Sequence, residues 1–539
     1  MDFKNRLIAT VAMSLVVCCP ATAQTLSGKV IGPDGAAMEG VVVNAKRGIV
    51  TVSVVSNAAG QFSFPKDRLD AGDYSISIRA AGFVLQGPKT ATIAKDGATD
   101  VEVKLGVTRN LSAQLTNQEW LLSLPGSDDQ KRALTNCTSC HTVQRIMESS
   151  YNAEEFMEVV KRMGRYSMNS FYKKPQIRNE ARDINRFLPN ADQATAYFAS
   201  INRSEGERTW QLKTLPRLTG EATKVIITEY DLPDQTIQPH DVIVDPDGTV
   251  WHTDFSGQIL GKFDTKSLKF STYPIPLQRP GWPTGALDIE PDPKGNLWIS
   301  LMFQAGAAKF DRVTEKFSLI QLPPEVLKAD SQQAMVSPQN IDVDGKIWLQ
   351  DPTRRGVYRM DLASGATELY LPFGTGPGSP YSIISDKQNN LWFLDFGGEN
   401  IGRIDAKTGA IKLYPTPTKR SRPRRGRIDA QGRIWFAEFG ADRVGMFDTN
   451  TEQFKEWKVP DAFYAPYDAA MDRDGNLWTG SMNSDRVTRI NVQSGKTVEY
   501  QLPRSTNVRR IFIDESGAKP VLWIGSNHGA SIIKVEPQD

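Results

Sequence analysis

Residues 431–448 read QGRIWFAEFGADRVGMFD. A Gly turn leads into an apolar run around Trp435. Glu438 ends that run, and a second run, Val444 to Phe447, closes on Asp448. Short apolar runs split by turn residues read as strands. The unit recurs as NNLWFLDFGGENIGRID at 389–405 and as DPDGTVWHTDFSGQILGKFD at 245–264. From about residue 221 its markers return in order: an Asp/Gly turn, a Trp with apolar neighbours, an acidic or small residue, I-G-x-x-D, and a Tyr or Phe before Leu-Pro. The tryptophans are Trp251, Trp298, Trp348, Trp392, Trp435, Trp478 and Trp523, spaced 47, 50, 44, 43, 43 and 45 residues apart. A period near 45 with several short strands per unit predicts propeller blades, seven of them. No blade buries both faces alone; stacking makes the core continuous.

Ring closure is also legible. The stretch Ile226-Ile227-Thr228-Glu229-Tyr230-Asp231-Leu232-Pro233 matches the end of a unit, as in TVEYQLP at 497–503. The last unit reaches Asp539 without that strand. The strand at 226–233 is therefore expected to complete the seventh blade.

The segments Q-P-H-D-V, D-x-D-G-x-x-W, W-F-A-E-F and I-G-R-I-D make residues 221–539 resemble the streptogramin B (virginiamycin B) lyase family, a seven-bladed propeller. That resemblance implies elimination on a cyclic depsipeptide, a carbon–oxygen lyase activity. It would use histidines from P-H-x-I segments, acids from W-F-x-E segments and a divalent metal such as Mg. Only Pro239-His240 keeps P-H; later units read Pro380-Tyr381, Pro423-Arg424 and Pro466-Tyr467. Glu438 keeps the acid, while Asp254, Asp351 and Asp395 are shorter acids at that place. The second histidine is missing, so His240, Glu438 and Tyr467 stand as the catalytic candidates.

Innermost strands face the central channel. His240, Tyr381, Arg424, Arg425, Tyr467, Arg509 and Arg510 are expected near one mouth, with Asp254, Asp351, Asp395 and Glu438. Arginines grip a carboxylate or phosphate through paired N–H donors. Arg424, Arg425, Tyr381, Arg509, Asp254 and Asp395 are thus candidates for holding a small anionic or metal-bridged ligand. The competing reading is that the arginines and acids neutralise one another as salt bridges. His252 reads as a packed strand residue and His528 as a surface turn residue.

Upstream, Cys137-Thr138-Ser139-Cys140-His141 is a C-x-x-C-H motif, the pattern of covalent c-type haem attachment. Two thiols at this spacing reach the two vinyl groups, and the following histidine lies under the iron. Zinc needs four ligands, and His240, His252 and His528 lie far off in sequence. Residues 107–205 read as a small all-α cytochrome c-like domain. Ala153 to Tyr166 carries Phe156, Val159, Val160 and Met163 at helical spacing, with Asn152 as cap. Ile177 to Leu188 and Ala194 to Ile201 read as two further short helices. Met163 and Met168 are the candidates for the sixth iron ligand, and a vacant sixth position stays open.

Residues 1–23 read as a secretory signal: Lys4 and Arg6, an apolar run from Leu7 to Cys19, then Ala21-Thr22-Ala23. The mature chain, periplasmic or secreted, then keeps only Cys137 and Cys140 of four cysteines and has no transmembrane segment. Residues 24–106 carry G-x-V, a DG turn, G-x-F and G-x-Y in order. They resemble the carboxypeptidase regulatory-like, transthyretin-like β-sandwich, which implies a structural or docking module. The fold class expected is mainly β and multidomain. Across 539 residues the net charge is +2, which gives no reason to expect nucleic acid as partner. Three functions fit: an exported haem electron-transfer protein with a periplasmic redox partner, a metal-dependent lyase, and a non-catalytic binding scaffold.

Overall fold

In five of the seven blades the Asp of the turn and the Trp six residues later hold each other; the Trp348 indole donates instead to the Asn389 carbonyl. Asp245 Oδ2 accepts from the Trp251 indole at 2.7 Å, and the pairs Asp292–Trp298, Asp386–Trp392, Asp429–Trp435 and Asp472–Trp478 repeat the bond at 2.7–3.1 Å. The other carboxylate oxygen of Asp292, Asp386, Asp429 and Asp472 takes backbone N–H groups of the turn. One side chain thus fixes the hairpin and satisfies a buried indole.

The computed structural model describes residues 25–95, 97–180, 183–184, 188–204, 206, 208–324, 335–351 and 354–539. Residues 1–23, read as a signal, lie outside them, as does much of 177–188.

Six four-stranded antiparallel sheets follow one another from Pro239 to Gln501. The seventh is built from Val508–Asp514, Val521–Ser526, Ser531–Pro537 and, as its outer strand, Val225–Asp231. The ring therefore closes with the strand expected. That strand pairs on both edges: Thr228 lies opposite Lys534 on one side and Val52 on the other. The sheet continues through Val50–Val55, Val42–Arg47, Gly72–Arg79 and Thr90–Ile93, making eight strands shared by the propeller and the N-terminal sandwich. The second sandwich sheet runs Gln61–Ser63, Thr25–Ile31, Ala98–Val107, Phe83–Gly87. Val43, Ala45, Phe62, Ile76 and Val103 fill the space between the sheets.

The glycine of I-G-x-x-D has a steric cause. A Cβ on Gly402 would stand 1.9 Å from the Phe393 ring, and one on Gly261 would stand 2.0 Å from His252. Each glycine makes room for the side chain following the blade's Trp. His252 occupies a position where another blade has Phe, and it is buried, as a packed strand residue should be.

Between sandwich and propeller lies a helical stretch. Asn117–Ser123, Asp128–Ala133 and Ala153–Met163 each begin with a capping box, from Thr116, Ser127 and Asn152. Asn152 caps as read, and the third helix ends at Met163. Ala191–Ile201 begins three residues earlier than expected. Ile177 opens no helix; it bridges Tyr166. The helices close over Trp120, Leu134, Val143, Phe156 and Phe198, and Phe463 of the propeller joins that cluster. Among the described residues no helix is long and apolar enough to cross a membrane.

Candidate functional site

Six of the seven innermost strands carry the same irregularity; Val336–Ser337 pairs without a slip. Register slips between Pro239 and Val242, Ala286 and Ile289, Pro380 and Ile383, Pro423 and Gly426, Pro466 and Ala469, and Val508 and Ile511. Two consecutive residues leave the ladder in each case, a bulge that re-aims side chains. The first residues of these pairs gather in one layer across the channel, the second residues in another.

The first layer is aromatic and basic. Tyr467 Oη is 3.0 Å from His240 Nε2, and the Tyr381 hydroxyl bonds to Tyr467. The Arg424 guanidinium stacks over Tyr467 at 4.1 Å, Phe396 and Phe439 at 4.6 Å, and Tyr381 at 5.4 Å. Arg509 lies over Phe255 at 5.0 Å and Tyr467 at 5.5 Å. Neither arginine pairs with a carboxylate among the described residues. Burial lowers the pKa of His240 to about 3 despite Asp241, so the ring is neutral.

The second layer is an ion network. Asp241 receives Arg425 Nη1 and Nη2 at 3.0 and 2.8 Å and Arg510 Nη1 at 2.8 Å. Asp288 also takes Arg425, and Arg510 Nη2 reaches Glu290 at 2.8 Å. Burial opposes the charge on Asp241, but the two arginines hold its carboxyl below the usual range. His240 Nδ1, 2.6 Å from Asp241, ties the layers together. A cleft of 530 Å³ opens beside this network, lined by Glu290, Asn340, Ser385, Arg427 and Arg510.

The expected constellation therefore divides. His240, Tyr381, Tyr467, Arg424 and Arg509 converge. Arg425 and Arg510 do not join them; they are consumed by Asp241, Asp288 and Glu290. Asp254 and Asp395 do not face the arginines either. Asp254 Oδ1 accepts the N–H of Gln238 at 2.9 Å, and Asp395 Oδ1 that of Ser379 at 2.8 Å, so each pins the loop entering the innermost strand of its own blade. Asp351 accepts the Arg354 N–H at 3.1 Å. Glu438 is fully buried, and neither oxygen has a hydrogen-bond partner. Burial, then Glu456, raises its pKa to about 9. Among the described residues no group of three His, Cys, Asp or Glu side chains is placed to hold a metal ion. Asp241 and Asp288 went unnoticed in sequence. The signal for Asp241 was the Pro followed by a paired position, Pro239-His-Asp, Pro380-Tyr-Ser, Pro423-Arg-Arg, Pro466-Tyr-Asp; Asp288 follows Ala286-Leu287 and lacks that Pro.

The C-x-x-C-H loop docks on the first layer. The Ser139 carbonyl accepts Arg509 Nη2 at 3.3 Å and lies 3.0 Å from His528 Nε2. His528, expected at the surface, is instead stacked on Phe171, 6.5 Å away and 3° from parallel. The stretch after the third helix seals the contact: Asn169 Nδ2 bonds the Phe255 carbonyl at 2.9 Å, and Gln176 Nε2 those of Ser256 and Thr284 at 2.9 Å. Met168 is 38% exposed between buried Ser167 and Asn169, and Met163 is half-buried at the helix end.

The motif's donor set suits a porphyrin iron. Cys137 and Cys140 are both free thiols. Burial pushes the Cys137 thiol up to about 12, so it is uncharged. His141 Nδ1 lies 3.0 Å from the Thr142 carbonyl, which fixes that nitrogen as the N–H and presents the Nε2 lone pair. Burial lowers its pKa, favouring the neutral, ligating ring. Arg509, which reaches the Ser139 carbonyl, supplies positive charge beside the loop.

Residues 25–106 match the carboxypeptidase regulatory-like domain, and residues 283–478 match the Virginiamycin B lyase family. Among the curated proteins none matches this chain. A solved streptogramin B lyase is 21% identical with a TM-score of 0.50, over 59% of this chain and 99% of that one. Virginiamycin B lyase from Staphylococcus aureus is 20% identical with a TM-score of 0.49, over 58% and 99%. At such identity the likeness is one of fold. The chain thus joins a carboxypeptidase regulatory-like domain to a virginiamycin B lyase-like propeller.

Proposed function

We propose that this chain is an exported c-type haem protein, periplasmic, whose propeller binds a substrate or redox partner beside the haem. One observation supports the reading most: the C-x-x-C-H loop is held by its Ser139 carbonyl between Arg509 and His528, over the layer where Tyr381, Tyr467 and Arg424 meet. Cys137 and Cys140 would be the attachment thiols, His141 would ligate the iron, and Met163 or Met168 would supply the other ligand unless that position is left vacant. The bound haem supplies one-electron chemistry. The protein holds the ring nitrogen of His141 in one tautomer, keeps the Cys137 thiol protonated, and shields the loop through Phe171, Phe255 and the Asn169 and Gln176 bonds. The test is expression in a host with c-type maturation. Covalent haem that survives acid-acetone is expected, and Cys137→Ala should weaken it. Wild-type protein without haem stain would sink the reading. The weak near-infrared sulfur-to-iron band should vanish in either Met163→Ala or Met168→Ala.

A second reading, lyase chemistry of the kind the relatives' names print, is favoured by the Tyr467–His240–Asp241 chain, which sets an imidazole between a phenol and a carboxylate. Both ring nitrogens are already engaged, and the ring is wholly buried, which weighs against a base that meets substrate. Ring opening of a streptogramin B by haem-free protein would reverse that preference.

A further inference from the structure

Arginines at equivalent places in this propeller meet opposite fates. Arg425 and Arg510 are saturated by carboxylates one layer down. Arg424, one residue before Arg425, is only 7% exposed, and its Nε has no partner. Its Nη1 finds only the Met482 sulfur, at 3.3 Å. Arg422 lies over Phe396 at 4.2 Å and Phe439 at 5.6 Å, and its Nε donates to the Phe396 carbonyl at 3.3 Å. Neither forms an ion pair among the described residues.

Two neighbouring cations without counter-charge among the described residues, Arg424 buried and Arg422 partly exposed, are costly, by several kcal/mol for the buried one before compensation. Stacking on aromatic faces returns roughly 0.5–2 kcal/mol per contact. The chain places acids freely elsewhere in the channel, so this cluster lacks a charge that something else brings.

Space for it exists. A cavity of 190 Å³ lies between residues 129–136 and the blade, lined by Arg422, Phe439, Thr135, Asn136 and Asn483. Two other arginines on its wall are committed: Arg132 to Asp442 at 3.0 Å and Arg420 to Asp129 at 3.2 Å. Arg422 is the uncommitted cation facing the space, with Arg424 behind Phe439. Asn136 immediately precedes Cys137, so the cavity adjoins the attachment motif.

We infer that Arg422 forms a carboxylate-binding site at the propeller mouth, reached through the cavity beside Asn136, with Arg424 adding positive charge from behind Phe439. Planar guanidinium forks match a carboxylate bidentately, and the aromatic walls keep water from screening the pair. Two sources carry this chemistry: a propionate of haem joined at Cys137 and Cys140, which rests on the haem reading above, and a free small carboxylate.

The experiment separates them. Haem-free and haem-loaded protein are each titrated with acetate and with succinate, reading thermal midpoints, for wild type, Arg422→Gln, Arg424→Gln and Arg424→Lys. Reduction potentials are measured on the loaded forms. A propionate at the site predicts that both Gln variants shift the potential negative, because a cation favouring the reduced state is gone, while Arg424→Lys retains most of it. It also predicts that free carboxylates stabilise only haem-free wild type. A free ligand predicts carboxylate-dependent stabilisation of both wild-type forms, lost in both Gln variants, with unchanged potential. Protein that takes up no haem refutes the haem reading while the acetate arm still decides the site. No stabilisation by either acid, together with unshifted potential, overturns the inference.

Discussion

Tyr467 Oη stands 3.0 Å from His240 Nε2, and the opposite nitrogen of that ring stands 2.6 Å from Asp241. The carboxylate fixes the direction of the chain: Nδ1–H donates to Asp241, Nε2 accepts from Tyr467, and Tyr381 donates to Tyr467. Tyr467→Phe strands both His240 Nε2 and the Tyr381 hydroxyl in a dry interior, at about 1–3 kcal/mol for each stranded group. Tyr381→Phe strands neither. Urea unfolding should show the larger loss for Tyr467→Phe, and equal losses would contradict this chain.

The two layers predict a reversal of what side-chain size alone suggests. Arg425→Met leaves the ionised Asp241 short of counter-charge, beside an Asp288 that burial raises to about 8, and should cost about 3–5 kcal/mol. Arg424→Met, one residue earlier, removes a cation with no carboxylate partner and should cost much less. Denaturant midpoints of the two variants decide it; an Arg424 loss equal to that of Arg425 would mean the network is not what stabilises the channel.

Stability should depend on pH with two limbs. Folded Glu438 keeps its proton to about pH 9, against an ordinary 4.5. Folding takes up a proton between those values, so stability declines as pH rises, by at most about 1.4 kcal/mol per unit. His240, His252 and His528 act oppositely: burial holds them at about 3, 4 and 4 against 6.5, so stability declines as pH falls below 6.5. Glu438→Gln should reduce the alkaline slope up to about pH 9, leaving the share of Asp288, which burial raises to about 8, and should steepen the acid limb between pH 4.5 and 6.5, where Glu438 and the histidines act in opposite directions. An unchanged alkaline slope in urea titrations would exclude a protonated Glu438.

Gly402→Ala places a methyl 1.9 Å from the Phe393 ring. Overpacking of this kind costs about 1–3 kcal/mol. Phe393→Leu in the same chain should recover part of the loss, which a double-mutant cycle by thermal unfolding measures. Additive losses would mean the glycine serves another purpose.

The repeat was legible because its physics is local. Asp386 and Trp392, or Gly402 and Phe393, meet within one hairpin, so their spacing is written along the chain. The closing strand could be read for the same reason: its pattern copies the other unit ends. Which arginines would be neutralised was not legible. Arg424 and Arg425 are neighbours in sequence, and only the repeated bulge sends one to aromatic rings and the other to Asp241, which lies 184 residues away. Asp254 and Asp395 looked like counter-charges because sequence gives no sign of the loop N–H groups they hold. Glu438, one methylene longer, sits beside Glu456 instead. The docking of Ser139 on His528 spans 389 residues and leaves no trace in either segment.

That span also sets an order of events. A chain crossing a membrane from its N-terminus delivers Cys137 early and the last blade late. Arg509 and His528, which cap Ser139, belong to the final strands, and those strands find their place only by pairing with Val225–Asp231. On the export and haem reading proposed above, whatever is joined to the two thiols has its opening during transit, while the loop is bare. Once residue 537 is zipped against residue 225, the seventh blade acts as a latch. A chain that has folded empty would have to undo its own closure to be loaded.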